Sequence, residues 1–366
     1  MIPLLAAGFL LGIVSGVVMH RADFCLVRPF RDIFLFGSWE RFRFLLLFVG
    51  ATMLLVELGR VAGVIAPYPF PLLTPPALTT LAGGALFGVG MVLAGGCVVG
   101  TLYRMGSGQT TSLAAFMGLI AGSGLYAEFH PVWKWLQGKS TLTPALTIPH
   151  LLSLPPGALT IPLSILLIII SIRWWREGKL SYQNRARGAI PYRIATLILV
   201  AVTVASYGVV GMPLGITTSY AKIAATLERL VIPDHVASLG YFTQHPFTYH
   251  SSLAGITLTG GAGPDLDAIA LIQYPLITGI VTGSFLSSRA LGEFKIYRGT
   301  PMRQLVVSLA GGVLMGLGAR MAPGCNVWHI LGGIPILSLS SILFTLSLFP
   351  GAWIGSLILQ RVVLKG

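Results

Sequence analysis

The sequence predicts an all-α polytopic membrane protein, with about nine transmembrane helices plus four short re-entrant or broken helices, arranged as an hourglass-like inverted internal repeat. Three observations predict it. The mean hydropathy is +0.83, with 54% hydrophobic and 10% charged residues, which leaves too little polar surface for a soluble chain of 366 residues. Apolar runs close to the width of a bilayer recur along the whole chain. Residues 81–97, laid over 309–325, agree at 10 of 17 positions, with Cys97 and Cys325 in register. Composition repeats common apolar letters, but it does not place one scarce cysteine over another.

Taken in order, the first span is 2–19, apolar throughout and without the basic n-region of a cleavable signal. It leads to His20-Arg21-Ala22-Asp23-Phe24-Cys25 and an arginine-bearing amphipathic stretch to Phe36. Span two is 42–66, closed by Pro67, and the uncharged, proline-rich 67–76 is a short loop. Span three is 77–95. Gly95 and Gly96 break it, Cys97 opens a short apolar piece to Tyr103, and Gly106-Ser107-Gly108 ends that piece. Span four is 109–128, and the polar 129–157 is a loop. Span five, 158–172, runs into interfacial Trp174-Trp175 and a basic loop to Arg187. Span six is 190–207, the stretch from Gly211 through Pro213 to Thr218 is too broken to span, and 221–268 is mixed. Spans seven to nine are 269–286, 303–320 and 338–360. The chain thus divides into a first half, 1–128, a connector, 129–189, and a second, inverted half, 190–366.

With the N-terminus outside and the C-terminus cytoplasmic, eighteen of the 24 Lys and Arg fall in cytoplasmic segments and five outside. That bias accounts for the net charge of +13. No basic run carries the interleaved aromatics of a nucleic-acid groove, so no nucleic-acid partner is expected. The three cysteines have neither C-x-x-C nor Cys/His ligand spacing, so no disulfide framework, metal or other cofactor is expected. In this topology span three runs inward and span eight outward, which makes the two cysteine copies inverted, an arrangement common in transporters. Gly12-Ile13-Val14-Ser15-Gly16 also resembles Gly279-Ile280-Val281-Thr282-Gly283, but these spans run the same way and the likeness reads as chance.

Non-helical backbone at membrane depth survives only inside protein or beside a cavity. Gly95-Gly96 and Pro323-Gly324 let the chain leave one helix and begin another within a few residues. The short helix that follows turns its free N–H groups and positive end toward the break, which makes an anion site. Cys97 and Cys325 stand at that start, where a thiol is acidified and donates a weak hydrogen bond. The candidate substrate-contacting set is Cys97, Cys325 and Cys25, with Gly95, Gly96, Gly324, Asn326 and Thr101; none is expected to do covalent catalysis. Against it stands the plain reading that free cysteines pack as small hydrophobes. For Cys25 the two weigh equally, whereas the matched breaks favour function for the other pair. Glu57 and Arg60, one turn apart, form a structural ion pair. Arg21, Arg28 and Arg31 read as surface anchors, with guidance of an anion as the alternative. His235, His245 and His250 fit no metal template and read as solvated loop histidines.

Gly95-Gly96-Cys97-Val98-Val99-Gly100-Thr101-Leu102-Tyr103-Arg104, followed by Gly106-Ser107-Gly108, resembles the first signature of the YeeE/YedE family of sulfur transporters. Gly324-Cys325-Asn326-Val327 resembles its second, and 211–217 the segment between them, so the resemblance covers essentially the whole chain. It implies uptake of thiosulfate, or for some members a selenium compound, across the bacterial inner membrane, through nine spans with re-entrant helices in an hourglass. It implies that the substrate's terminal sulfur passes between thiols, here Cys97, Cys325 and Cys25, by S–H···S contacts. A cytoplasmic sulfur carrier of the TusA type is the implied partner. After Asn326 this chain departs from the small residues of many members, with Trp328 and His329, and the wording at Tyr103-Arg104 is like the selenium-linked branch.

A soft sulfur or selenium end prefers a polarisable thiol to a hard oxygen donor, whereas arginine clamps would favour sulfate. The lack of Lys or Arg within two residues of Cys97 or Cys325 speaks for the former. No G-x-x-x-x-G-K-[ST] occurs, so transport would be passive or ion-coupled. A membrane sulfurtransferase or redox protein using Cys325 or Cys97 is the alternative of another class. It needs a neighbouring base, for which His329 is the candidate.

Overall fold

In the computed structural model the chain is described over residues 2–65, 68–182, 188–251 and 256–364. Pro67 and the arginines at 185 and 187 lie outside the described residues. The elements are α1 (Ile2–Ala22), α2 (Arg28–Phe36), α3 (Glu40–Val61), α4 (Leu78–Leu93), α5 (Val98–Gly106), α6 (Thr110–Lys139), α7 (Ile148–Leu151), α8 (Pro156–Arg176), α9 (Tyr192–Val210) and α10 (Thr217–Arg229). After them come α11 (Pro233–Ser238), α12 (Gly240–Thr243), an antiparallel hairpin of β1 (Phe247–Ser251) and β2 (Ile256–Gly260), α13 (Ala268–Ala290) and α14 (Met302–Met321). A π-helical turn (Val327–Gly333), a 3-10 turn (Ile334–Ile336), α15 (Leu339–Leu359) and a last π-helical turn (Gln360–Leu364) complete it. Among the described residues nine helices are long and apolar enough to cross a membrane: α1, α3, the broken α4–α5, α6, α8, α9, α13, α14, and α15 with its extension. The protein is an all-α polytopic membrane protein. Its four short pieces, α2, α5, α10 and the π-helical turn, follow Cys25, Cys97, Pro213 and Cys325 respectively.

Lipid gives apolar side chains no reason to leave it, so membrane helices associate where small residues let backbones come close. Here glycine provides that closeness. A Cβ on Gly90 of α4 would lie 2.6 Å from the Gly311 carbonyl of α14, and one on Gly311 would lie 2.7 Å from the Gly90 carbonyl. Gly83 and Gly318 repeat the exchange, at 3.0 and 2.6 Å. The contact is reciprocal between aligned positions, as in a two-fold interface, and α4 runs antiparallel to α14. Outside this pair, α15 covers α4 and α6 covers α14.

Two sequence expectations change. The likeness of 12–16 to 279–283 is a packing motif and not chance: Gly16 abuts the Ile280 carbonyl and Gly283 the Ile13 carbonyl, where α1 crosses α13. Residues 129–139 are not loop but the last turns of α6, which carries Pro131 within it. These polar turns are held by tertiary contacts. The Trp133 Nε1–H donates to the Met321 carbonyl at 2.9 Å, and the His130 ring lies 4.9 Å from that of Tyr241.

Candidate functional site

The first two breaks face each other. After α1 the chain turns through Asp23, at φ +50, and buries Cys25. After α4, Gly95 at φ +68 takes the left-handed turn that ends the helix, and Cys97 adopts an extended backbone as the N-cap of α5. Its Sγ accepts the Gly100 N–H at 3.2 Å, satisfying one of the free donors at the helix start. The Cys25 and Cys97 sulfurs are 3.9 Å apart, within reach of an S–H···S contact. Gly100 makes that approach possible, since a Cβ there would stand 2.7 Å from the Cys25 sulfur and 3.4 Å from that of Cys97.

Below the pair opens a polar vestibule of about 420 Å³, lined among others by His20, Arg28, Arg31 and Ser107. Asp23 organises it. Its carboxylate pairs with Arg28, lies 3.7 Å from Arg104 Nη2, and accepts from the Tyr103 hydroxyl at 3.1 Å. Arg104 also donates to the Gly95 carbonyl that the helix break leaves free.

The fourth break is built differently. Gly324, at φ +141, turns the chain between α14 and the π-helical segment, and its N–H bonds back to the Ala319 carbonyl at 2.9 Å. Cys325 follows, fully buried, with the backbone amides of Val327 and Trp328 facing its thiol. A side chain at 324 would strike both Trp328 and His329, which fold back over it. His329 bridges the break: Nε2 lies 2.9 Å from the Ala322 carbonyl and Nδ1 2.9 Å from the Ser341 hydroxyl. The Ala322 carbonyl can only accept, so Nε2 carries a proton, and both ring nitrogens are engaged away from Cys325. Trp328 packs edge-on against Phe70, 5.0 Å between ring centres.

Several of the buried polar atoms without partners belong to residues near the thiols. Both side-chain atoms of Asn326, the Thr101 hydroxyl, the Tyr220 hydroxyl and the Trp328 Nε1 make no hydrogen bond among the described residues. Such atoms are costly in a dry interior, and each marks a place where a polar ligand would be welcome. Tyr220 on α10 lies within electrostatic reach of both Cys97 and Cys325. Where the halves meet, Val99, Leu214, Ile216, Val327 and Leu331 enclose a cavity of about 20 Å³, room for roughly one water.

The expected residues thus separate. Cys25, Cys97 and Gly100 come together; Gly95 and Gly324 make the turns; Asn326 and Thr101 present unpaired polar atoms; Gly96 packs against the start of α5. The sequence places no Lys or Arg within two residues of Cys97 or Cys325, yet two arginines reach the breaks from farther along the chain. Arg104, two helical turns after Cys97, and Arg320, five residues before Cys325, both return to the breaks. The seven-residue spacing to Arg104 was a visible signal. Tyr220 had none, because only tertiary packing brings it in. His235 is not simply solvated: its Nδ1 bonds Glu228 and its Nε2 is 3.5 Å from Glu128, clipping α10 and α11 to α6. Glu57 and Arg60 form the expected pair at 2.6 Å, and the side chain of His250 lies outside the described residues.

Residues 21–354 match the profile of the Sulphur transport family. The chain belongs to that family. A thiosulfate transporter, TsuA, from Spirochaeta thermophila is 31% identical over 361 residues, covering 97% of this chain and 98% of its own. The TsuA of Escherichia coli is 26% identical over 373 residues, covering 97% and 95%. The protein is a multi-pass membrane protein of the sulfur-transport family, with nine membrane-length helices among the described residues and relatives named as transporters.

Proposed function

We propose that this transporter takes up thiosulfate, passing its terminal sulfur from Cys325 to Cys97 and Cys25 by S–H···S contacts without making or breaking a covalent bond. One observation carries the reading: each of the three cysteines is buried, reduced and seated at a helix break. The thiolate-like sulfur of thiosulfate accepts from a thiol, while its sulfonate oxygens take donors such as Asn326, Thr101 and Tyr220. The names of the relatives support the substrate.

The two cysteine-bearing halves, 1–128 and 190–366, are inverted copies joined by 129–189, a reading that the reciprocal α4–α14 contact supports. The charge bias supports a bacterial inner-membrane setting with both the Cys325 side and the N-terminus outside. The vestibule under Cys25 and Cys97 then faces the cytoplasm, where a TusA-like carrier would receive the product.

The test is growth of cells unable to import sulfate, with thiosulfate as the sole sulfur source. The parent chain supports growth, and Cys97→Ala and Cys325→Ala each abolish it. Growth of both variants at the parent rate, with equal protein in the membrane, would sink the thiol relay.

A further inference from the structure

Among the described residues, the buried charges are paired with carboxylates or cations, with one exception. Asp32 holds Arg31 and Arg41, Glu57 holds Arg60, and Lys222 of α10, fully buried, lies 2.8 Å from the Asp267 carboxylate. Arg320 is 8% exposed and has no carboxylate partner among the described residues. Its Nη1 donates to Thr218 and Tyr241 hydroxyls at 3.3 Å each, its Nη2 to Thr217, and its Nε to nothing. A guanidinium cannot shed its proton to escape burial, so its charge has to be met by something else.

The surroundings sharpen the point. Thr217 and Thr218 are the first two residues of α10, whose N-cap Ile216 supplies no side-chain acceptor. A helix begins with positive partial charge, so Arg320 sits at the end where a cation is least welcome. The C-terminal turn of α14, in which Arg320 lies, offsets only part of that charge. Two positive features converge on one point beside the Cys325 break, close enough for the guanidinium to act on the thiol. The half-buried His130 Nε2, next to Tyr241, is also without a partner.

We infer that Arg320, with the start of α10 and the Tyr241 hydroxyl, is a capture site for a small divalent oxyanion on the Cys325 side. The anion's oxygens complete the charge of Arg320 and leave its soft end free for Cys325. The inference rests on the transport reading above and adds to it a charge-selecting step ahead of the thiol-selecting one. It also predicts that the first step does not tell thiosulfate from sulfate, since both present sulfonate-type oxygens to the guanidinium. Discrimination then belongs to the thiols.

The test uses the full-length protein in two arms, labelled-thiosulfate uptake by cells and dianion-induced stabilisation of the purified protein in detergent. Arg320→Gln is expected to raise the KM for uptake about tenfold or more, with a much smaller change in maximal rate, and Arg320→Lys to restore part of the loss. Thr218→Asp keeps Arg320 and its packing but supplies the missing carboxylate, and is expected to weaken uptake in the same way. It decides the matter if Arg320→Gln does not fold. In the purified parent, thiosulfate and sulfate both raise Tm, and Arg320→Gln and Thr218→Asp abolish both shifts. Parent-like KM and parent-like Tm shifts in the folded variants would overturn the capture site, while failure of Cys325→Ala alone would leave the relay standing. If the parent takes up no thiosulfate, the transport reading fails, and the Tm arm still decides whether Arg320 holds a dianion.

Discussion

The two ends of the pathway use the same materials in opposite states. On the Cys25 side two thiols lie 3.9 Å apart, and the attending arginines, Arg28 and Arg104, share the Asp23 carboxylate. On the Cys325 side one thiol stands alone and Arg320 has no carboxylate among the described residues. An uncompensated guanidinium attracts and holds an anion; a neutralised one lets it leave. A conduit that loads at one end and unloads at the other needs such an asymmetry, because equal affinity at both ends would slow release as much as it aids capture. The sequence repeat gives each end a glycine turn before a buried cysteine, and a single carboxylate makes the ends unlike in charge.

The sharpest way to break the comparison is at the thiol pair. Gly100→Ala would set a methyl 2.7 Å from the Cys25 sulfur and force the two thiols apart. Uptake is expected to fall below about a tenth of the parent rate, since displacements near an ångström at a transfer site cost that much or more. The variant should still fold, because Ala is at home in the interior of α5. Labelled-thiosulfate uptake, normalised to membrane protein, is the measurement, and a parent-like rate would separate the Cys25–Cys97 contact from transport.

A gentler change tests the charge argument itself. Asp23→Asn is isosteric, and Asn tolerates the left-handed backbone that Asp23 adopts at φ +50. It removes the charge that Arg28 and Arg104 share, so the Cys25 end comes to resemble the Cys325 end. Maximal uptake is expected to fall about three- to tenfold through slower release, while the purified protein binds thiosulfate more tightly. Equilibrium binding and uptake on the same variant check it; weaker binding would show that Asp23 serves the anion by another route.

Much of this was legible beforehand, for identifiable reasons. The spans follow from hydropathy, which the bilayer enforces locally, and the breaks from Gly95, Gly96, Pro323 and Gly324, whose backbone freedom or stiffness is local too. The last turns of α6 were missed because they carry polar letters beyond the apolar zone and are held by Trp133 and His130. Arg104 was recoverable from its helical spacing to Cys97. Arg320 was not, since the decisive fact about it is what fails to stand beside it, and no window of sequence reports that. His329 looked like a base for Cys325 until both its nitrogens proved to be engaged with Ala322 and Ser341.

The smallest expected effect concerns the contact that joins α6 to α10 and α11. Its hydrogen bond to Glu228 raises the pKa of His235 above the ordinary 6.5, partly offset by burial, with the charge of Glu128 adding in the raising direction. A group whose folded-state pKa is raised contributes fully below its unfolded value, and that contribution is lost as pH climbs through the folded one. The clip between α6, α10 and α11 therefore tightens in mild acid and relaxes toward alkaline pH. In the purified protein, raising the pH from about 6 to about 8.5 should lower the Tm of the parent by roughly 1 °C more than that of His235→Gln, the scale of a solvent-screened pair in a chain of this size. Identical pH profiles would mean that the outer end is held by the packing of Tyr241 and Trp133 without help from this charge.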